Sequence, residues 1–376
     1  MKILQLGRFY PPFFGGIQNV MYELTTGINA KGVRCDVLCS HNINKFEIQN
    51  NKSHIVLRAK SFGIYFSTSI SPQMVGLLNK IKNDYDVISI HFPDPMAALA
   101  LYLVRPKCKI VLHWHSDVIK QKYILKLFKP LQNWVINRAD LIVGATEKHI
   151  KCSDNYELMK SKSTIIPYPF DLQALYDCVD DVLYKNLKNK YNNKKIVFSM
   201  GRLVYYKGFE FLIEAAKELG NDYVILIGGV GKLEKELKDQ INESGMIGRV
   251  ILLGSIPYNQ LGTYYKVCDV FCLPSTHRSE MFGIVQLEAM SFGKPVISTK
   301  LERSGVCNVN INDKTGICVN AGSAIAIADA IEKITINSEE YKRYSTNALD
   351  RVTNVFGKNL IINKVIDTYR LLMDKV

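Results

Sequence analysis

Short apolar runs separated by helical stripes repeat along the whole chain. KILQLG is a brief strand-like run, and IQNVMYELTTGINAKG after it carries Ile17, Val20, Met21, Leu24 and Ile28, the spacing of one helix face. RCDVLCS, DVISIH, KIVLHWH and LIVGAT continue the series, with helical segments between them. This alternation predicts a parallel sheet covered by helices on both faces.

At the proline-marked crossing TIIPYPFD the rhythm restarts with KIVFSMG, YVILIGG, VILLGS, VFCLPS, PVIST and GICVN. Two such halves predict two doubly wound α/β domains, residues 1–168 and 169–355. NLIINKVIDTYRLLM reads as a helix within 356–376, expected to pack back toward the first domain. Ligands of open α/β sheets bind outside the C-terminal ends of the strands, so two such domains predict a site in the cleft between them.

Composition narrows the class. With 376 residues, 47% apolar content and no apolar run near the ~18–20 residues of a membrane span, the chain reads as soluble and globular. Its start, MKILQLGRFYPPFFGG, is too short in apolar character for a signal peptide, which predicts a cytoplasmic location. The nine cysteines are scattered, and neither CxxxC pair (Cys35–Cys39, Cys268–Cys272) has the partners of a zinc set. The net charge of +13 is uneven. Residues 1–170 hold 22 Lys+Arg against 11 Asp+Glu, and the other 206 hold 26 against 24. An anionic partner of the first half follows as an expectation.

The candidate chemistry falls at strand ends. In SEMFGIVQLEAM, Glu280 stands in a loop and Glu288 on a helix expected to begin near Phe282 or Gly283, more than a turn before it. Between them the amides of Gly283, Ile284 and Val285 offer an anion cradle. Carboxylate, cradle and carboxylate in that order suit a ligand with polyol and phosphate parts, such as a nucleotide sugar. After KIVFSMG, Arg202 and Lys207 bracket a loop from which both could reach a diphosphate. Gly15 and Gly16 precede a helix, either as a tight turn or as a place for close ligand approach. His113 and His115 share one face of KIVLHWH, either as satisfied sheet-end histidines or with one bonding a substrate hydroxyl. Asp84-Tyr85-Asp86 spells DxD but precedes VISIH, the wrong end of that strand for catalysis. LIGGVGK lacks the ending of a P-loop.

Together these segments resemble the family 4 glycosyltransferases of GT-B fold: YPPFFGGIQNVMYEL, the WHSD segment, GRLVYYKGFEFLIEA, and the E-x7-E run of Glu280 and Glu288 before GKPVIST. The tone is that of bacterial O-antigen and capsule enzymes, mannosyl- and rhamnosyltransferase-like. The resemblance implies two Rossmann-like domains facing across a cleft, the first binding the acceptor and the second the nucleotide sugar. It implies transfer with retention, without metal or other cofactor. Gly15 and Gly16 would pack against the donor, and His115 would lie near C6 of the sugar. Arg202 and Lys207 would hold the diphosphate, Glu280 the sugar hydroxyls and Glu288 the ribose. GDP-mannose is the first guess for the donor, with UDP- and dTDP-sugars open. Tyr168-Pro169-Phe170 stands where relatives usually carry Asn-Gly. A non-catalytic sugar-nucleotide-binding subunit and a sugar-nucleotide epimerase are the alternatives.

The acceptor implied is a lipid-linked or growing polysaccharide. In KQKYILKLFKPLQNW, Lys120, Lys122, Lys126 and Lys129 alternate with Tyr123, Ile124, Leu127, Phe128 and Trp134. Such a basic amphipathic helix suits the anionic inner face of a plasma membrane, or a buried helix with snorkelling lysines. No nucleic-acid module is present.

Overall fold

In the computed structural model, which describes residues 1–13, 15–65, 68–117 and 122–374 (without the side chains of 122–127), the fully buried run Ile3–Leu6 makes β1 (Lys2–Gly7) a central strand. On one side lie β2 (Arg34–Ser40) and β4 (Ile55–Ala59), with β3 (Glu47–Asn50) antiparallel at the edge. A separate ribbon joins β5 (Ile64–Tyr65) to β6 (Thr68–Ser69). On the other side of β1 lie β7 (Val87–Phe92), β8 (Lys109–Trp114), β9 (Leu141–Gly144) and β10 (Ser163–Ile165), all parallel. The order β10-β9-β8-β7-β1-β2-β4-β3 reverses its direction of winding between β1 and β7. That reversal opens a crevice at the C-terminal strand ends.

This unit comprises Met1–Pro169 and Lys358–Val376. The returning helix Lys358–Asp374 packs on the helix Gly16–Ala30. Gly27 permits the approach, since a Cβ there would lie 2.5 Å from Cγ1 of Ile362. Lys358 Nζ meets Glu23 Oε2 at 2.6 Å beside it. Asp86, of the DxD lookalike, accepts the Lys2 amide at 2.7 Å at the N-terminal end of β1, which is capping chemistry.

The second unit, Phe170–Gly357, holds β11 (Lys195–Met200), β12 (Tyr223–Gly228), β13 (Val250–Gly254), β14 (Val270–Leu273), β15 (Val296–Lys300) and β16 (Gly316–Asn320). All are parallel in the order β13-β12-β11-β14-β15-β16, so the switch point lies between β11 and β14. At its boundary the Phe170 amide donates to the Phe356 carbonyl at 2.9 Å.

The helix Lys122–Arg138 spends two aromatic residues on the core. Phe128 stacks on Phe92 with centroids 5.8 Å apart, and Trp134 meets Tyr102 edge-on at 5.0 Å. Both are partly buried against the first unit's core, in line with the buried-helix alternative, while Lys129 is exposed. Lys120 and the side chains of Lys122, Lys126, Tyr123, Ile124 and Leu127 lie outside the described residues. Among those described, no helix is long and apolar enough to cross a membrane, and all nine cysteines are free.

Candidate active site

The second unit concentrates charge at its switch point. After β11 the chain makes a 3-10 turn, Tyr205–Lys207, and Gly208 follows with φ 69. A Cβ on Gly208 would stand 2.1 Å from the Pro274 carbonyl oxygen, so glycine lets the loop after β11 press against the loop after β14. Gly201 likewise makes room for the Lys207 stem; a Cβ there would lie 2.9 Å from Lys207 Cε. Lys207 is thereby buried and its Nζ meets Glu280 Oε2 at 2.6 Å. Ser275 Oγ donates to the same oxygen at 3.2 Å, and Ser304 Oγ donates to the Glu280 carbonyl at 2.5 Å. Arg202 is exposed at the loop's start and donates to Tyr206 Oη at 3.2 Å.

The helix after this loop spans Val285–Ser291, later than the sequence suggested. Gly283 takes φ 70, a left-handed conformation that cannot continue a helix backwards. Glu288 is therefore in the first turn, beside the amides of Gly283, Ile284 and Val285. Tyr265, fully buried on a neighbouring helix, donates to Glu288 Oε2 at 2.5 Å and leaves Oε1 unengaged. Burial raises the Glu288 carboxyl above its ordinary range, while the Tyr265 hydrogen bond and the nearby Lys207 charge oppose that rise. Lys207, Glu280 and Glu288 thus form one cluster.

In the first unit, Gly15 caps the helix Gly16–Ala30 without a side chain, and a Cβ on Gly16 would meet no atom within 4 Å. Arg58, nearly wholly buried, donates to the Pro11 carbonyl at 2.5 Å and so pins the loop before these glycines. At the ends of β7 and β8, the register sets His91 beside His113. The rings of His91, His113 and His115 stack, with His91 5.0 and 5.1 Å from the other two. His115 Nδ1 lies 2.8 Å from Tyr168 Oη and its Nε2 lies 2.9 Å from His91 Nδ1. A sugar hydroxyl that bonds His115 must therefore displace one of these. Among the described residues no three His, Cys, Asp or Glu side chains are placed to hold a metal.

These histidines carry a stability signature. Burial holds His113 and His149 down to about 4, and His91 and His115 well below the usual 6.5. The unfolded chain binds these protons near 6.5, so the stabilisation is complete above that pH and is lost as pH falls toward 4. At pH 5.5 each such histidine costs about 1 kcal/mol. Thermal unfolding followed at pH 7.5 and 5.5 should show a lower Tm at 5.5; an equal Tm would contradict buried neutral imidazoles.

Residues 14–174 match the family model described as Glycosyltransferase Family 4, and residues 183–351 match Glycosyl transferases group 1. The chain belongs to the family 4 glycosyltransferases. It is 27% identical over 375 residues to O-antigen chain mannosyltransferase C of Escherichia coli, covering 100% of this chain and 99% of that one. It is 28% identical over 357 residues to a D-rhamnosyltransferase of Pseudomonas aeruginosa, covering 95% and 92%. In fold it resembles the Anabaena protein HepE, solved with UDP (TM-score 0.77, 22% identity, 99% of this chain and 100% of that one). It also resembles a sucrose-phosphate synthase of Thermosynechococcus elongatus (0.81, 19%, 100% of both). The fold is GT-B.

As a glycosyltransferase the chain carries support residues that its motifs do not announce. Tyr265, Ser275 and Ser304 brace the two glutamates from separate elements, and no spacing links them to the E-x7-E run. His91 was within reach, because aligning VISIHF with KIVLHW as neighbouring parallel strands pairs it with His113.

Proposed function

We propose that this glycosyltransferase moves a hexose, with retention and without metal, from a nucleotide-diphosphate sugar to a lipid-linked or growing polysaccharide in O-antigen or capsule synthesis. The observation that carries the reading is the buried Lys207–Glu280 pair beside Glu288 at the switch point of the second unit. Glu280 would bond the sugar hydroxyls and Glu288 Oε1 the ribose. Gly283, Ile284 and Val285, with Phe282, would turn amides toward the sugar and phosphate. Arg202 and Lys207 would neutralise the diphosphate as its bond to C1 breaks, which favours the transition state over the bound donor. These cations and amides supply the charge that a metal would otherwise bring.

Glu280 Oε2 is engaged by Lys207 and Ser275, a poor arrangement for a covalent nucleophile. That favours same-face attack: the acceptor oxygen bonds C1 as the phosphate leaves, and the acceptor proton passes to a phosphate oxygen. Gly15, Gly16 and His115 would meet the donor from the first unit.

GDP-mannose is our first donor candidate, in keeping with the mannosyltransferase name of one relative; HepE, solved with UDP-glucose, keeps uridine donors in the test. Thermal-shift titration with GDP-mannose, UDP-glucose and dTDP-sugars should raise Tm most with GDP-mannose, by RT ln(1 + [L]/Kd) in free energy. No shift with any of them would overturn the reading.

The first unit's excess of cations suits an acceptor diphosphate at the inner face of the plasma membrane, with the protein peripheral there and cytoplasmic. Charge reversal at Lys122, Lys126 and Lys129 should reduce flotation with anionic liposomes several-fold. Unchanged flotation would remove the membrane from the account.

A further inference from the structure

We propose that Gln5 and His91 are positioning residues that hold His115 as its Nε2–H tautomer, so that the nitrogen it offers a donor sugar is the Nδ1 acceptor now covered by the Tyr168 hydroxyl. This rests on His115 being a sugar contact, as proposed above. The hydrogen-bond chain has one consistent direction. The Gln5 amide is set with its nitrogen 3.6 Å from Cys35 Sγ and its Oε1 2.8 Å from His91 Nε2, and this setting gives the chain its direction. A carbonyl oxygen accepts only, so His91 Nε2 carries the proton. The neutral His91 ring then has a bare Nδ1, and the partner 2.9 Å away, His115 Nε2, must donate to it. That leaves His115 Nδ1 bare, accepting from Tyr168 O–H at 2.8 Å.

His113 stacks on the same rings but stands outside this chain, since its Nε2 meets Tyr369 Oη at 2.8 Å. His91, His115 and the stacked His113 are each at least nine-tenths buried, which disfavours the doubly protonated ring that would erase the direction. His115 is thus an acceptor toward any ligand that displaces Tyr168. It selects a sugar that presents a hydroxyl there, and it has no proton to give at that position.

The test is long-range 1H–15N correlation NMR of the full chain labelled at histidine, at pH 7.5 without substrate. His115 should show a protonated Nε2 and a bare Nδ1. Gln5→Leu should mix the tautomers and lower kcat about tenfold, as loss of an orienting partner does, with the donor KM little changed. A proton on His115 Nδ1 in the wild type, or an unmixed Nε2–H pattern in Gln5→Leu, would overturn the proposal. Should Gln5→Leu not fold, the wild-type spectrum alone decides. Failure of the underlying reading is distinguishable: it would show as wild-type transfer by His115→Ala, whatever the spectrum says.

Discussion

Glu280→Gln is expected to lower the rate of transfer by about 1,000-fold, the scale of losing one fixed electrostatic group at a reacting centre. Glutamine keeps an oxygen for Lys207 and Ser275 but loses the charge that would face the sugar ring as positive charge develops there. Alanine is the less informative change. It would leave the Lys207 ammonium buried without its carboxylate, at a cost of about 3 kcal/mol or more in stability. A drop in activity would then mix chemistry with unfolding. Steady-state kinetics paired with a melting curve separates the two. Glu280→Gln with near wild-type kcat would show the pair to be only a structural strut.

Lys207→Ala is expected to lower kcat by about 100- to 1,000-fold, because the leaving diphosphate loses its buried cation. Arginine should not restore it. The lysine stem runs against Gly201 in a site with almost no exposed surface, and a guanidinium fork is larger and differently shaped. Because Lys207 and Glu280 act as a unit, Lys207→Ala combined with Glu280→Gln should lose far less than the product of the single losses. Independent, multiplying losses in kcat would mean that the two side chains serve separate steps.

Much of this architecture was legible from the apolar runs, because strands buried on both faces announce themselves as unbroken runs; KILQLG, KIVLHWH, KIVFSMG and YVILIGG all lie on central strands. β3 was not legible. It is an exposed antiparallel edge with no apolar run, and β4 beside it is only five residues long. The two glutamates could be read from their spacing, but the start of the intervening helix could not. Gly283 could have opened a helix or, as it does, bent left-handed before one. The lysine helix admitted two readings in sequence, a membrane-facing one and a buried one. Its aromatic residues look membrane-seeking in sequence, yet Phe128 and Trp134 are consumed by tertiary packing on Phe92 and Tyr102. The support around His115 depends on residues 5, 91 and 168, which only the sheet register and the path of the chain after β10 bring together.

The division of labour between the two glutamates is tested most directly by calorimetric titration of GDP and GDP-mannose into the wild type, Glu280→Gln and Glu288→Ala. The account predicts that Glu280→Gln binds GDP within about threefold of the wild type, and that Glu288→Ala binds it at least about tenfold more weakly, the scale of a lost charge-assisted hydrogen bond. Equal GDP affinity for Glu288→Ala and the wild type, or no nucleotide binding by the wild type, would contradict it.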